Sequence, residues 1–103
     1  MLQRHILEDS RAICLDGSPA GFYYAASTAA DSTIGNTWVI GLEGGGWCYN
    51  AAQCRWRARH ALTGSSKAWP AEMELQYGPL SASPDENPDF YQAHRVTHPT
   101  LGL

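Results

Sequence analysis

The sequence lacks any long apolar run, and it also lacks an excess of basic residues. No stretch of about 18 consecutive apolar residues occurs, so we expect no membrane-spanning helix. Lys and Arg together number 7 against 10 for Asp and Glu, which gives a formal net charge of −3. A mildly acidic chain is poorly suited to bind nucleic-acid phosphates, so no nucleic-acid partner is predicted. With 103 residues the chain has room for one small domain, and not for a complete α/β enzyme of about 250 residues.

The N-terminus lacks the features of a secretory signal peptide. Such a signal requires an uninterrupted apolar core of roughly 7–15 residues. Residues 1–9 read MLQRHILED, and Arg4, His5, Glu8 and Asp9 interrupt any such core. We therefore expect either a cytosolic protein or a protein whose true start lies outside this sequence.

Cysteines are few, and their spacing leaves two interpretations open. Cys48 and Cys54 have five residues between them, and a local disulfide could close this loop. A zinc site is the weaker hypothesis, because zinc requires four ligands, no CxxC pair occurs and the histidines are scattered. The third cysteine, Cys14, is left without a partner, and an odd count hints at a missing piece of chain.

Motifs for a nucleophile or for a nucleotide are also missing. No serine has glycines two positions before and two positions after it, as the Gly-x-Ser-x-Gly nucleophile elbow requires. The nearest segment is 64–68 (GSSKA), where Ser65 is predicted to cap a helix rather than to attack a substrate. Neither a P-loop nor a GxGxxG dinucleotide fingerprint occurs, so the sequence predicts no cofactor.

Short apolar segments alternate with turn-forming ones, which predicts an α/β domain. Residues 22–24 indicate a short strand, and residues 37–42 (TWVIGL) indicate a buried one. Residues 51–62 predict a helix, and residues 65–76 predict the start of a second helix with Pro70 in its first turn. Residues 90–96 are expected to lead into another strand.

The first predicted helix carries a basic cluster formed by Arg55, Arg57, Arg59 and His60, with Trp56 among them. One interpretation is a nucleic-acid patch. Four basic groups in an acidic chain are weak support for that, so a solvated helix face is the favoured interpretation.

Three consecutive glycines, at positions 44–46, follow the predicted buried strand and precede Trp47 and Cys48. Glycines leave the backbone uncovered, and successive N–H groups can then converge on an anion or on a developing oxyanion. The competing hypothesis is a tight turn or a close approach of two backbones, and the glycines alone favour it.

Several segments together resemble the pectin acetylesterase family, which includes the Notum-type carboxylesterases. The matching parts are 14–23 (CLDGSPAGFY), 38–48 (WVIGLEGGGWC), Cys54, 64–67 (GSSK), 78–81 (GPLS) and 87–91 (NPDFY). The resemblance covers residues 12–96, which leaves residues 1–11 as an N-terminal extension and residues 97–103 as a divergent tail.

This resemblance implies an α/β-hydrolase-like fold, of which the chain would hold the N-terminal part: an incomplete sheet with flanking helices. It implies a serine hydrolase that removes acetyl esters from cell-wall pectin, located outside the cell or in the cell wall. It also implies an oxyanion hole at Gly45 and Gly46 with Trp47 alongside. The family's cysteine pair maps to a disulfide between Cys48 and Cys54, with Cys14 unpaired in this chain.

The family's catalytic Ser, Asp and His lie beyond the matched segments, so we expect the chain alone to be a fragment without a triad and without activity. The implied partner is an acetylated polysaccharide. The alternative is a non-catalytic carbohydrate-binding or decoy remnant, in which Trp47, Trp56 and Trp69 stack on sugars, or a truncated product without function.

Overall fold

Strands outnumber helices in the described part of the chain. The computed structural model describes residues 1–42, 47–60, 64–75 and 78–98. The elements are β1 (Leu2–Ile6), β2 (Gly21–Ala25), α1 (Ser32–Gly35), β3 (Trp38–Leu42), α2 (Ala51–His60), β4 (Glu72–Met73) and β5 (His94–His98).

The strands form one sheet in the order β3-β5-β2-β1-β4. β3 and β5 are parallel, with Ile40 opposite Val96, whereas the other neighbouring strands are antiparallel. Parallel neighbours require a crossover connection, and here the crossover between β3 and β5 contains α2 and β4.

One face of the sheet is packed, because side chains alternate along β2 and β5. Tyr23 and Ala25 from β2 form a buried cluster with Leu2 and Trp69. The hydroxyl of Tyr23 donates to the carbonyl of Pro70, so its polar end is satisfied within this layer.

Arg95 lies on the same packed face and is only 5% exposed. Its Nη1 donates to the carbonyl of Leu80 at 3.0 Å, whereas its Nε has no hydrogen-bond partner among the residues that the structure describes. Leu80 also packs on β3, where a Cβ atom at Gly41 would approach its Cδ1 to 2.6 Å. Glycine at this position therefore allows the contact.

The opposite face is open along β3. Trp38, Ile40 and Leu42 are all exposed, with Ile40 at 69%. The predicted strand is thus present, but the prediction that it is buried is wrong here. Among the described residues β3 pairs only with β5 and forms an edge of the sheet, so it lacks there the second neighbour that a central strand has.

The first predicted helix is present as α2, and the second is wrong. Residues 65–75 contain no helix, because the carbonyls near Pro70 bond other elements and residues 72–73 pair with β1. Pro70 lacks an N–H and disfavours a helical conformation at Trp69.

Within the described ranges, no helix is long and apolar enough to cross a membrane.

Candidate functional site

In the sequence, the glycine-rich segment follows directly on the carboxyl end of β3. Gly45 and Gly46, the predicted oxyanion-hole residues, lie outside the described residues. The last residue of β3, Leu42, is opposite His98 at the end of the parallel strand β5. In open α/β sheets, ligands bind beyond the carboxyl ends of the strands, so this is the edge at which a site is expected.

Trp47 follows the segment and is 82% exposed. The next residue, Cys48, forms a disulfide with Cys54, and their Cα atoms are 5.1 Å apart. The predicted disulfide is therefore present, and it ties the end of the glycine-rich segment to the second turn of α2.

The start of α2 is capped as well as cross-linked. The Asn50 side chain accepts a hydrogen bond from the Gln53 N–H at 2.8 Å. In return, the Gln53 side chain accepts from the Tyr49 N–H at 3.3 Å. Such reciprocal bonds satisfy donors that a helix leaves unpaired at its N-terminus. The segment after the glycines thus has a fixed course over residues 48–54.

Cys14 carries a free thiol and is half-buried. Its Sγ lies 3.7 Å from the carbonyl oxygen of Pro19, and its N–H donates to Ser18 at 2.8 Å.

A polar cluster that no sequence pattern predicted joins the turn at residues 16–18 to the turn at residues 64–68. Asp16 accepts hydrogen bonds from the backbone N–H and the hydroxyl of Ser18. The Ser18 hydroxyl in turn accepts from the N–H of Ser66 at 2.9 Å. Hydrogen bonds from the hydroxyls of Ser18 and Ser65 lower the pKa of Asp16 from 3.8 to about 2.

Ser65 is not a helix cap, contrary to the prediction. Its hydroxyl accepts from the N–H of Lys67 at 3.1 Å, two residues on, which is a local turn and not the start of a helix. The cluster could not be found from sequence spacing, because about half of the chain separates its two turns.

His94 has a structural role. Its Nδ1 lies 2.7 Å from the hydroxyl of Tyr24 and accepts from the N–H of Ser27 at 3.1 Å. The ring also stacks on Trp38, with centroids 4.3 Å apart. These contacts hold the imidazole between β2, β3 and the turn at Ser27.

The tryptophans divide into two groups. Trp69 is 4% exposed and belongs to the core, so the hypothesis that it stacks on a sugar is wrong. Trp47 and Trp56 are exposed.

Within the described ranges, no group of three or more His, Cys, Asp or Glu side chains is arranged to hold a metal ion.

Comparisons with known proteins agree on one family. The sequence matches the family model described as Pectinacetylesterase over residues 1–99. Pectin acetylesterase 5 of Arabidopsis thaliana is 37% identical over 91 residues, which is 88% of this chain and 20% of that protein. Palmitoleoyl-protein carboxylesterase notum1a of Danio rerio is 37% identical over 100 residues, or 95% of this chain and 19% of that protein.

A solved structure extends the similarity to the backbone. The Wnt deacylase Notum from Drosophila superimposes with a TM-score of 0.80 at 34% identity, over 95% of this chain and 27% of that one. The predicted α/β-hydrolase-like fold is therefore confirmed, for the part of that fold which this chain covers. The chain spans about a fifth of the length of the curated relatives that it matches.

Proposed function

Because this chain belongs to the pectinacetylesterase family, we propose that it supplies the oxyanion-stabilising segment of a serine carboxylesterase. The observation that carries the proposal is that ordered elements flank residues 43–46 in the chain on both sides. On one side β3 pairs with β5 along its whole length. On the other side the Cys48–Cys54 disulfide and the Asn50 cap fix the chain.

The chemistry follows from what an ester carbonyl needs during attack. As the nucleophile adds, the carbonyl oxygen gains negative charge, and donors that are already in position stabilise it without reorganisation. Backbone N–H groups of Gly45 and Gly46 would be these donors, and Trp47 would form one wall beside them. Rigid elements on both sides of the segment favour such preorganisation, because a mobile loop would lose the advantage.

We further propose that the substrate of the whole enzyme is an acetyl ester of pectin. The relative named pectin acetylesterase supports this choice, whereas the relatives named palmitoleoyl-protein carboxylesterase make a fatty-acyl ester the competing substrate. The nucleophile, the base and its orienting carboxylate would come from chain outside residues 1–103.

An extracellular location is part of the same proposal. The Cys48–Cys54 disulfide supports it, because disulfides persist in oxidising compartments and are rare in the cytosol.

A chimera tests the proposal. Residues 1–99 replace the matching region of Arabidopsis thaliana pectin acetylesterase 5, and two reactions are measured: acetate release from pectin and palmitoleate release from a palmitoleoylated peptide. Gly45→Pro and Gly46→Pro each remove one donor, so we expect kcat to fall by about 10²- to 10³-fold. The matched control is Ala51→Pro, at the first position of α2, where proline is well tolerated.

Two outcomes would contradict parts of the proposal. If both glycine variants of an active chimera kept the kcat of the control, the oxyanion assignment would fail. If the active chimera released palmitoleate but no acetate, the substrate assignment would fail while the oxyanion assignment stood.

A further inference from the structure

The open face of the sheet carries a row of rings. The register places His5 opposite Phe22, and Tyr24 opposite Val96, so all four side chains lie on one side of the sheet. The ring of His5 stacks on Phe22 with centroids 5.1 Å apart, and the ring of Tyr24 stacks on Trp38 with centroids 5.5 Å apart. These five side chains line a groove with a volume of about 460 Å³. We call this surface the aromatic face.

The aromatic face continues along β3 and carries no permanent charge. Ile40 lies opposite Val96 and is exposed, as is Leu42 two residues further on. The two arginines of the neighbouring strands, Arg4 and Arg95, lie on the other side, where their guanidinium groups bond carbonyls of the packed layer. An apolar surface of this kind is typical of a site at which another protein segment binds.

Nothing in the described part of the chain covers the aromatic face. α1 has only 4 residues, and α2 buries none of its own. Trp38 and Ile40 are 55% and 69% exposed. A sheet that leaves one face in water normally carries polar side chains there, whereas this one carries rings and aliphatic groups. The composition of the face therefore fits an interface and not a solvated surface.

The length of the related chains indicates what the occupant is. The Drosophila Notum structure aligns with this chain over only 27% of its own residues, so most of that chain has no counterpart here. Pectin acetylesterase 5 is matched over 20% of its length. The aromatic face and the free edge of β3 adjoin each other, and a helix and a strand of one neighbouring chain would complete both.

We propose that the aromatic face binds the rest of a pectinacetylesterase-family chain without a covalent connection, so that an esterase assembles from two polypeptides. An amphipathic helix of the partner packs its apolar side on Tyr24, Trp38 and Ile40, and a strand of the partner pairs with the edge of β3. Removal of these side chains from water supplies the free energy of association. The activity of the assembly rests on the proposed function, whereas the docking is measured by itself.

The chimera described above tests the docking when a protease site is inserted at the junction after residue 99. Its background is Cys14→Ser, so that the free thiol cannot link the two parts through a new disulfide. After the junction is cut, size-exclusion chromatography with light scattering measures whether the parts stay together. We expect one complex with the mass of the uncut chimera, and we expect it to retain the esterase activity of the uncut chimera.

A charge on the aromatic face should weaken this complex. Ile40→Lys buries an ammonium group in the interface, so we expect the dissociation constant, measured by diluting the cut complex, to rise at least about tenfold. Ile13→Lys is the matched control, because it makes the same substitution at a side chain that is 57% exposed and lies outside the five strands. We expect it to leave the dissociation constant unchanged.

The possible outcomes separate the docking from the proposed function. Complete separation of the cut parts at micromolar concentration, equal losses in the two lysine variants, or a complex of two copies of residues 1–99 would each overturn the docking proposal. A complex that stays together and is weakened by Ile40→Lys alone, but that releases neither acetate nor palmitoleate before or after the cut, would contradict the proposed function while the docking stood.

Discussion

Arg95 places a positive charge in the packed layer of the sheet, and no carboxylate of the described residues forms an ion pair with it. Burial lowers the pKa of its guanidinium. Its Nη1 donates a hydrogen bond to the carbonyl oxygen of Leu80. A buried polar group with unmet hydrogen bonds is destabilising. The sequence predicted a strand near this residue. It did not predict that Arg95 is buried, because the buried positions of β5, Arg95 and Thr97, are not apolar.

Replacing Arg95 by an apolar side chain of similar length should stabilise the protein. We expect Arg95→Met to raise the free energy of unfolding by about 1–4 kcal/mol, since it removes the desolvation cost and keeps the packing. Urea denaturation at neutral pH measures the change. Lys67→Met, at an exposed position, is the control and should change little. A loss of stability in Arg95→Met would show that the bond to Leu80 outweighs the cost of burial.

Asp16 makes a pH-dependent contribution to stability. Its pKa is lowered to about 2 in the folded chain, chiefly by the hydroxyls of Ser18 and Ser65. The folded state therefore holds the charged form more tightly than the unfolded state does. Above pH 4 this contribution is fully present, at about 2 kcal/mol, and it is lost as the pH falls from 4 towards 2.

We expect Asp16→Asn to lower stability at pH 5 and to have much less effect at pH 2. Urea denaturation of both proteins at the two pH values gives the comparison. Asp89→Asn, at an exposed loop position, should retain the pH dependence of the parent chain. The expectation would be contradicted if Asp16→Asn lost the same free energy at both pH values.

At the scale of elements, β3 is the exposed edge of the sheet. Its residues, Trp38–Leu42, include no charge and no proline, the features by which edge strands usually avoid pairing with other chains. Three large apolar side chains also face solvent there. Both properties favour association of the isolated chain through this strand.

A charge on the open face of β3 should reduce that association. We expect Ile40→Lys to lower the apparent mass in concentration-dependent light scattering while it leaves the unfolding midpoint nearly unchanged, since Ile40 is already exposed. Val39→Lys is the matched control on the other face, which is half-buried, and it should destabilise the fold. Unchanged association in Ile40→Lys would mean that another surface drives it.

Local patterns predicted some elements, and partners far along the chain decided the others. The β-branched and aromatic run of β3 and the alanine- and arginine-rich α2 were both predicted from composition. β1 was not, because Arg4 and His5 hide its apolar pattern, and it forms a strand by pairing with β2 and β4. Near Pro70 the opposite error occurred, since the segment forms contacts with β1 and β2 instead of a helix.

The same distinction applies to the site. The disulfide and the glycine-rich segment could be predicted because their residues are close in sequence. The Asp16–Ser65 cluster could not, since the fold brings together two turns that are far apart in the sequence.

At the scale of the whole molecule, an acyl-transfer enzyme needs more groups than the described residues bring together. It requires a nucleophile, a base oriented by a third group, and an oxyanion hole that reaches the same atom. Among the described residues, the serine hydroxyls bond Asp16, other serines or backbone groups, and none bonds a histidine. α2 buries none of its residues fully, so packing contributes little to holding it.

We therefore expect residues 1–103 alone to have no esterase activity and to unfold with low cooperativity. Hydrolysis of p-nitrophenyl acetate should not exceed that of the Gly45→Pro variant, because a serine without an oriented base is a weak nucleophile. A urea transition followed by tryptophan fluorescence and by far-ultraviolet circular dichroism should give midpoints that do not coincide, since the buried cluster around Trp69 and the exposed α2 lose structure separately. Turnover that disappears on mutation of one particular serine would contradict the first expectation, and it would mean that a triad assembles from residues of this chain. Coincident, steep transitions would contradict the second.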